Sequence, residues 1–133
     1  MTIAASPPPT LSTPLALGCG LVLRNRIAKS AMTEGLADTA NRATEAHASL
    51  YARWAAGGAG LLITGNVQIS RRHLERPGNI AIEGTQPPEA LAALRRMAAA
   101  ASADGTACFV QLSHAGRQTP IAIHAPREAH TPV

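Results

Sequence analysis

The stretch Trp54-Ala55-Ala56-Gly57-Gly58-Ala59-Gly60-Leu61-Leu62-Ile63-Thr64-Gly65-Asn66 decides the fold class of this chain. The Gly57-Gly58 pair stops a helix that runs up to Trp54. The apolar run that follows is too short for another helix and is bounded by glycine, as expected for a strand buried on both faces. Upstream, Thr44 can cap that helix with Glu45 in its first turn, and His47, Leu50, Tyr51 and Trp54 fall on one face at helical spacing. Downstream, Pro87-Pro88-Glu89 opens a second helix with Leu91, Leu94 and Met97 or Ala98 as its apolar stripe. Asp104-Gly105 closes it, and residues 107–112 read as a further buried strand. Apolar strands alternating with capped helices specify parallel pairing through right-handed crossovers, an α/β fold.

Working outward, residues 1–14 are rich in Pro, Ser and Thr and read as a flexible N-terminal arm. Two short apolar runs about Gly18-Cys19-Gly20 predict a β-hairpin, and residues 27–32 predict a strand ending at Met32-Thr33. Residues 67–87 form a long connection carrying Arg71, Arg72, His73 and Arg76, with a short extended piece expected over 79–83. The tail from Thr119 reads as loop. A doubly wound sheet and a (β/α) barrel both satisfy this order, and both place chemistry at the carboxyl ends of strands.

Composition narrows the function classes. Of 133 residues, 46% are hydrophobic, 15% charged and 2% aromatic, which suits a soluble domain with one core. No stretch approaches the roughly 18 apolar residues of a membrane helix, and the first residues lack a signal-peptide pattern, so a cytoplasmic location and no membrane partner are expected. The +4 charge comes from dispersed arginines with one Trp, one Tyr and one Phe, which offers no basic stripe or stacking platform for nucleic acid. Cys19 and Cys108 match no metal spacing and read as buried thiols.

Thr33, Asn66 and Gln111, with His114, each stand where an apolar run ends, so a parallel sheet would bring them to one rim. No GxGxxG, GxxxxGK[ST] or GxSxG occurs, which leaves a neutral rim of one hydroxyl, two carboxamides and the Met32 thioether. Such groups suit a flat heteroaromatic ligand better than an anion, and they equally suit capped strand ends. His47 reads as a packing residue, His114 as a loop organiser, Arg26 as a partner for backbone or carboxylate at the sheet's base, and Arg71, Arg72 and Arg76 as solvated charge.

Five pieces then fall in one register: Pro14-Leu15-x-Leu17-Gly18, Leu23-Arg24-Asn25-Arg26-Ile27, Ala31-Met32-Thr33, the Trp54 to Ile63 stretch, and Gln111-Leu112-Ser113-His114-Ala115-Gly116-Arg117. Together they resemble the old yellow enzyme family, the NADH:flavin oxidoreductases. The resemblance implies an FMN-bearing (β/α)8 TIM barrel with a hairpin across its lower mouth. It further implies reduction of flavin by NAD(P)H and hydride transfer from flavin N5 to an activated alkene, an enone or enal.

Residue by residue, it implies that the Ala31 and Met32 backbone lies along the isoalloxazine. Thr33 would donate near flavin O4 and N5 and tune the flavin, Asn66 falls where the family usually has Ala or Gly near the pyrimidine edge, and Gln111 would pair with O2 and N3–H. Ala31 replaces a common proline, and Gly35 stands where one subgroup has an active-site tyrosine. The family's substrate-anchoring His-Asn or His-His pair, its N1 arginine and its phosphate loops match nothing here, so the chain is expected to carry no catalytic residue of its own. Residues 15–133 are then expected to be the hairpin and first three βα units of an incomplete barrel. The alternative is a truncated, non-catalytic fragment or interaction module. A small-molecule alkene is the expected partner, with homo-oligomerisation left open for the full-length form.

Overall fold

The computed structural model describes residues 8–123. Residues 1–7 of the expected arm lie outside these; residues 8–14 carry a turn at Thr10–Thr13, and the Leu11 carbonyl accepts from Arg26 N at 2.8 Å. The hairpin forms from β1 (Leu15–Ala16) and β2 (Val22–Leu23), antiparallel, with Leu15 opposite Leu23. Its turn leaves Cys19 exposed, which corrects the expectation of a buried thiol: a short two-stranded ribbon has no interior for it. Cys108 is half-buried, and that burial raises its thiol above the usual range.

The main sheet is parallel. Strand β3 (Ala28–Lys29) is shorter than the expected 27–32 run, and β4 (Leu61–Gln68) is longer than the apolar stretch that announced it. Strand β6 (Ala107–Ser113) lies along the length of β4 on one edge. The opposite edge is shared: β3 pairs with Leu61 and Leu62, while β5 (Ile80–Ala81), inside the expected extended piece, pairs with Val67 and Gln68. Strand β3 ends at Lys29, and β5 takes the upper part of that edge.

Helices α1 (Glu45–Ala56) and α2 (Pro88–Ala101) pack on each other and on one face of this sheet. Tyr51 and Ala55 of α1, Leu62 and Val67 of β4, Ile80 of β5, and Ala93, Met97 and Ala101 of α2 make the core. Of the expected α2 stripe, Met97 is buried and Leu94 packs half-buried against the core, while Leu91 and Ala98 are exposed and Ala90, Ala93 and Ala101 complete the buried face. Small side chains let the two helices approach closely. On α1 the buried residues are His47, Ala48, Tyr51 and Ala55, with Leu50 and Trp54 half-buried.

His47 does more than pack. Its Nδ1 accepts from Thr44 N at 3.1 Å, closing the helix N-terminus as a glutamate would in a capping box. Burial holds the imidazole below its ordinary range, so it stays neutral and can accept. At the base of the sheet Arg24, rather than the exposed Arg26, is the organiser. Its guanidinium donates to the carbonyls of Ala55, Ala59 and Asp104 and to Thr106 Oγ1, tying the end of α1 to the entry of β6. Asn25 Oδ1 accepts from Gly60 N at 2.8 Å, and a Cβ on Gly60 would stand 2.7 Å from Asn25 O. Only glycine permits that approach, which sets the start of β4 beside β3.

Candidate functional site

The rim depends on a fault in β4. Ile63 is opposite Phe109 and Asn66 opposite Gln111, so three steps on β4 match two on β6, and one extra residue is bulged out at Thr64-Gly65. Side chains of a strand alternate faces, and without the bulge Asn66 would point into the helix layer with Leu62. The bulge changes the phase: Leu62 and Val67, an odd number of residues apart, both enter the core, and Asn66 comes to the face that carries Ile63. Thr64 Oγ1 fills the gap in the ladder by accepting from Gln111 N at 3.0 Å.

Two residues that pattern reading passes over hold this bulge. Glu34 Oε1 accepts from Gly65 N at 3.1 Å and from the Tyr51 hydroxyl at 2.5 Å, and the Tyr51 oxygen lies 3.2 Å from the same Gly65 N. A Cβ on Gly65 would run into the Glu34 carboxylate and the Met32 carbonyl. Burial, with Glu34 beside it, pushes the Tyr51 phenol far above its usual range, so it remains a donor. Lys29 closes the cluster: Nζ donates to the carbonyls of Ser30 and Ile63, both at 2.8 Å, and lies 4.2 Å from the Trp54 ring centroid. Burial lowers its ammonium below the ordinary lysine range.

Thr33, Asn66 and Gln111 are brought into one network with Glu75, which the sequence pattern does not mark. Gln111 Nε2 donates to Asn66 Oδ1 at 2.6 Å; Asn66 Nδ2 donates to Glu75 Oε2 at 2.7 Å; Thr33 Oγ1 donates to that same oxygen at 2.7 Å. Arg76 reaches the other oxygen at 3.1 Å. The Thr33 hydroxyl, then Asn66 and Arg76, hold the Glu75 carboxyl below its usual range against the opposing effect of burial. Reading residues 71–76 as solvated charge hides Glu75, although it is the one acid between Arg72 and Arg76. Arg71 is also engaged, donating to the Glu83 and Ala81 carbonyls, while Arg72 is exposed.

Asn66 and Gln111 lie within the last residues of their strands rather than just beyond them. Ala31 is half-buried and Met32 exposed on the segment leading to Thr33. Thr33 Oγ1 itself donates to Glu75. His114 stacks on His73 with ring centroids 4.5 Å apart, and Ala115 N donates to the His73 carbonyl, so it joins the loops after β4 and β6 as expected. Among the described residues no group of three His, Cys, Asp or Glu could hold a metal, and no helix is long and apolar enough to cross a membrane.

Parallel strands with crossover helices on one face define a βα-repeat domain, and the hydrogen-bonded cluster lies toward the strands' carboxyl ends. More narrowly, the chain belongs to the NADH:flavin oxidoreductase / NADH oxidase family, whose pattern matches residues 10–133. It is 39% identical over 111 residues to the NADH-dependent flavin oxidoreductase iliE of Hypocrea jecorina, covering 83% of this chain and 28% of that protein. Among solved structures it is similar to the old yellow enzyme homologue of Zymomonas mobilis, at 30% identity and a TM-score of 0.73 over 86% of this chain and 31% of that one. Morphinone reductase is similar at 25% identity and a TM-score of 0.76, over 89% of this chain and 30% of that one. The chain thus spans under a third of the length of each of these relatives. The family uses flavin as cofactor and NADH as reductant.

Proposed function

We propose that this chain forms the first three βα units of a (β/α)8 TIM barrel that holds FMN and passes hydride from NAD(P)H to the alkene of an enone or enal. The observation that carries this reading is the Gln111 edge. One N–H of Gln111 is engaged by Asn66, and among the described residues its Oε1 makes no hydrogen bond, which leaves a C=O and an N–H side by side for a ligand. That donor set fits the adjacent carbonyl and N–H of a flavin pyrimidine edge. Thr33 follows the Ala31-Met32 segment and is tied to the same network through Glu75. When bound, FMN supplies a two-electron carrier; the chain's part is to orient and hold it.

Strand β6 supports the barrel reading. Phe109, Val110 and Leu112 are 42%, 56% and 61% exposed, although a strand inside a parallel barrel is covered on both faces and both edges. The next βα unit would cover this surface. In this reading the described residues give the flavin no phosphate anchor and the alkene no carbonyl grip, so hydride transfer requires the units that follow in the relatives. The test is anaerobic: the complete protein is loaded with FMN, and NADH should bleach the flavin absorbance, which an added enone should restore. Flavin that stays oxidised with NADH, or reduced flavin that an enone does not reoxidise, would refute the proposal.

A further inference from the structure

A carboxamide can exchange its C=O and NH2 ends at almost no steric cost, so its polarity is set by its partners. Asn66 and Gln111 stand in series, and reversing one forces the other to reverse or leaves two donors or two acceptors face to face. Some member of the network must therefore have a fixed character. Hydroxyls cannot supply it, because Thr33 and Thr64 can each donate and accept. Glu75 can: an ionised carboxylate only accepts, and Oε2 faces both Asn66 Nδ2 and Thr33 Oγ1 at 2.7 Å. Among the described residues the charged group in contact with it is Arg76, which favours the ionised form.

We propose that Glu75 is a positioning residue that, through Asn66, fixes the order in which Gln111 presents its N–H and its C=O to the ligand edge. The inference rests on the flavin reading above and extends it: reversing that order would move the flavin's imide along the rim to satisfy a different carbonyl. Glu75 Oε2 also accepts from the Thr33 hydroxyl at 2.7 Å, so one carboxylate oxygen ties Thr33 and Asn66 together. Its place on the 69–79 loop makes that loop part of the site although it need not touch the flavin.

The test follows the side-chain amides of Asn66 and Gln111 by nitrogen-15 NMR in this chain, with Glu75→Gln and Glu75→Asp. The relay predicts that Glu75→Gln shifts or doubles the peaks of both amides and that Glu75→Asp, still acceptor-only, leaves one set near the original positions. Peaks of Gln111 that stay in place in Glu75→Gln, while those of Asn66 move, would overturn the inference and leave Glu75 a loop tether. If Glu75→Gln does not fold, acid titration of the unsubstituted chain decides: both amides should move with one midpoint, below the usual carboxyl range, and an unmoved Gln111 overturns the relay. FMN added to the complete protein separates the two claims. If the Gln111 peaks ignore FMN, the flavin reading fails while the relay stands.

Discussion

Tyr51→Phe isolates the hydroxyl that closes the β4 bulge. Tyr51 is fully buried, and its hydroxyl donates to Glu34 and lies against Gly65 N. Phenylalanine keeps the buried ring and its edge-on contact with Trp54, whose centroid is 5.0 Å away, so the loss falls on the hydrogen bond alone. A hydrogen bond to a charged acceptor contributes about 1.5–3 kcal/mol, and about 2 kcal/mol is expected here because Gly65 N still serves Glu34. With a urea m-value of about 1–3 kcal/mol/M, the unfolding midpoint should fall by roughly 0.7–2 M with an unchanged slope. Trp54, the only tryptophan, stands against Tyr51 and under Lys29, so its fluorescence reports the transition where the substitution acts. A midpoint shift below about 0.3 M would refute the claim that this hydroxyl holds the bulge.

Gly65→Ala places a methyl against the Glu34 carboxylate and Met32 carbonyl and should cost about 2–3 kcal/mol; a urea midpoint equal to the parent's would contradict it. His47 is neutral in the folded chain with a lowered pKa, so the folded state binds fewer protons, and stability is complete above the unfolded value near 6.5 and lost as pH falls below it. His47→Gln keeps the capping acceptor and should flatten that slope between pH 7 and 5, as read from urea midpoints across the range; an unchanged slope would assign it elsewhere. Thr33→Val removes the largest influence lowering the Glu75 carboxyl, which should titrate closer to its usual range by carbon-13 NMR. An unmoved midpoint would mean that Thr33 does not donate to it.

Much of the topology is legible in the sequence because periodicity and punctuation agree: the glycine pair before β4, Thr44 before α1 and Pro87-Pro88 before α2 each mark a boundary that the structure keeps. The α2 stripe is legible at Leu94 and Met97 but misread at Leu91, because hydrophobicity favours leucine whereas close helix packing favours alanine, as at Ala90, Ala93 and Ala101. Length is misread at β4 for a different reason. The apolar run ends where the bulge begins, and the strand continues through Asn66 and Gln68 because backbone pairing with β5 and β6 sustains it.

At the site, Thr33, Asn66 and Gln111 are legible from their places at the ends of apolar runs. Glu34, Tyr51 and Glu75 are not, since each acts through a partner 9 to 42 residues away in sequence, which no local pattern records. Tyr51 in particular looks like any apolar residue on a helix face, and only the three-dimensional bulge gives its hydroxyl a purpose.

The central claim is that the Gln111 edge receives the flavin, and FMN fluorescence titration of the complete protein with Gln111→Leu tests it most directly. Leucine fills similar space and removes both hydrogen-bonding groups, so the bound pyrimidine edge loses its partners at a cost of about 1–3 kcal/mol, roughly a 5- to 150-fold weaker Kd. Flavin affinity unchanged from the parent would contradict the placement of FMN on this rim.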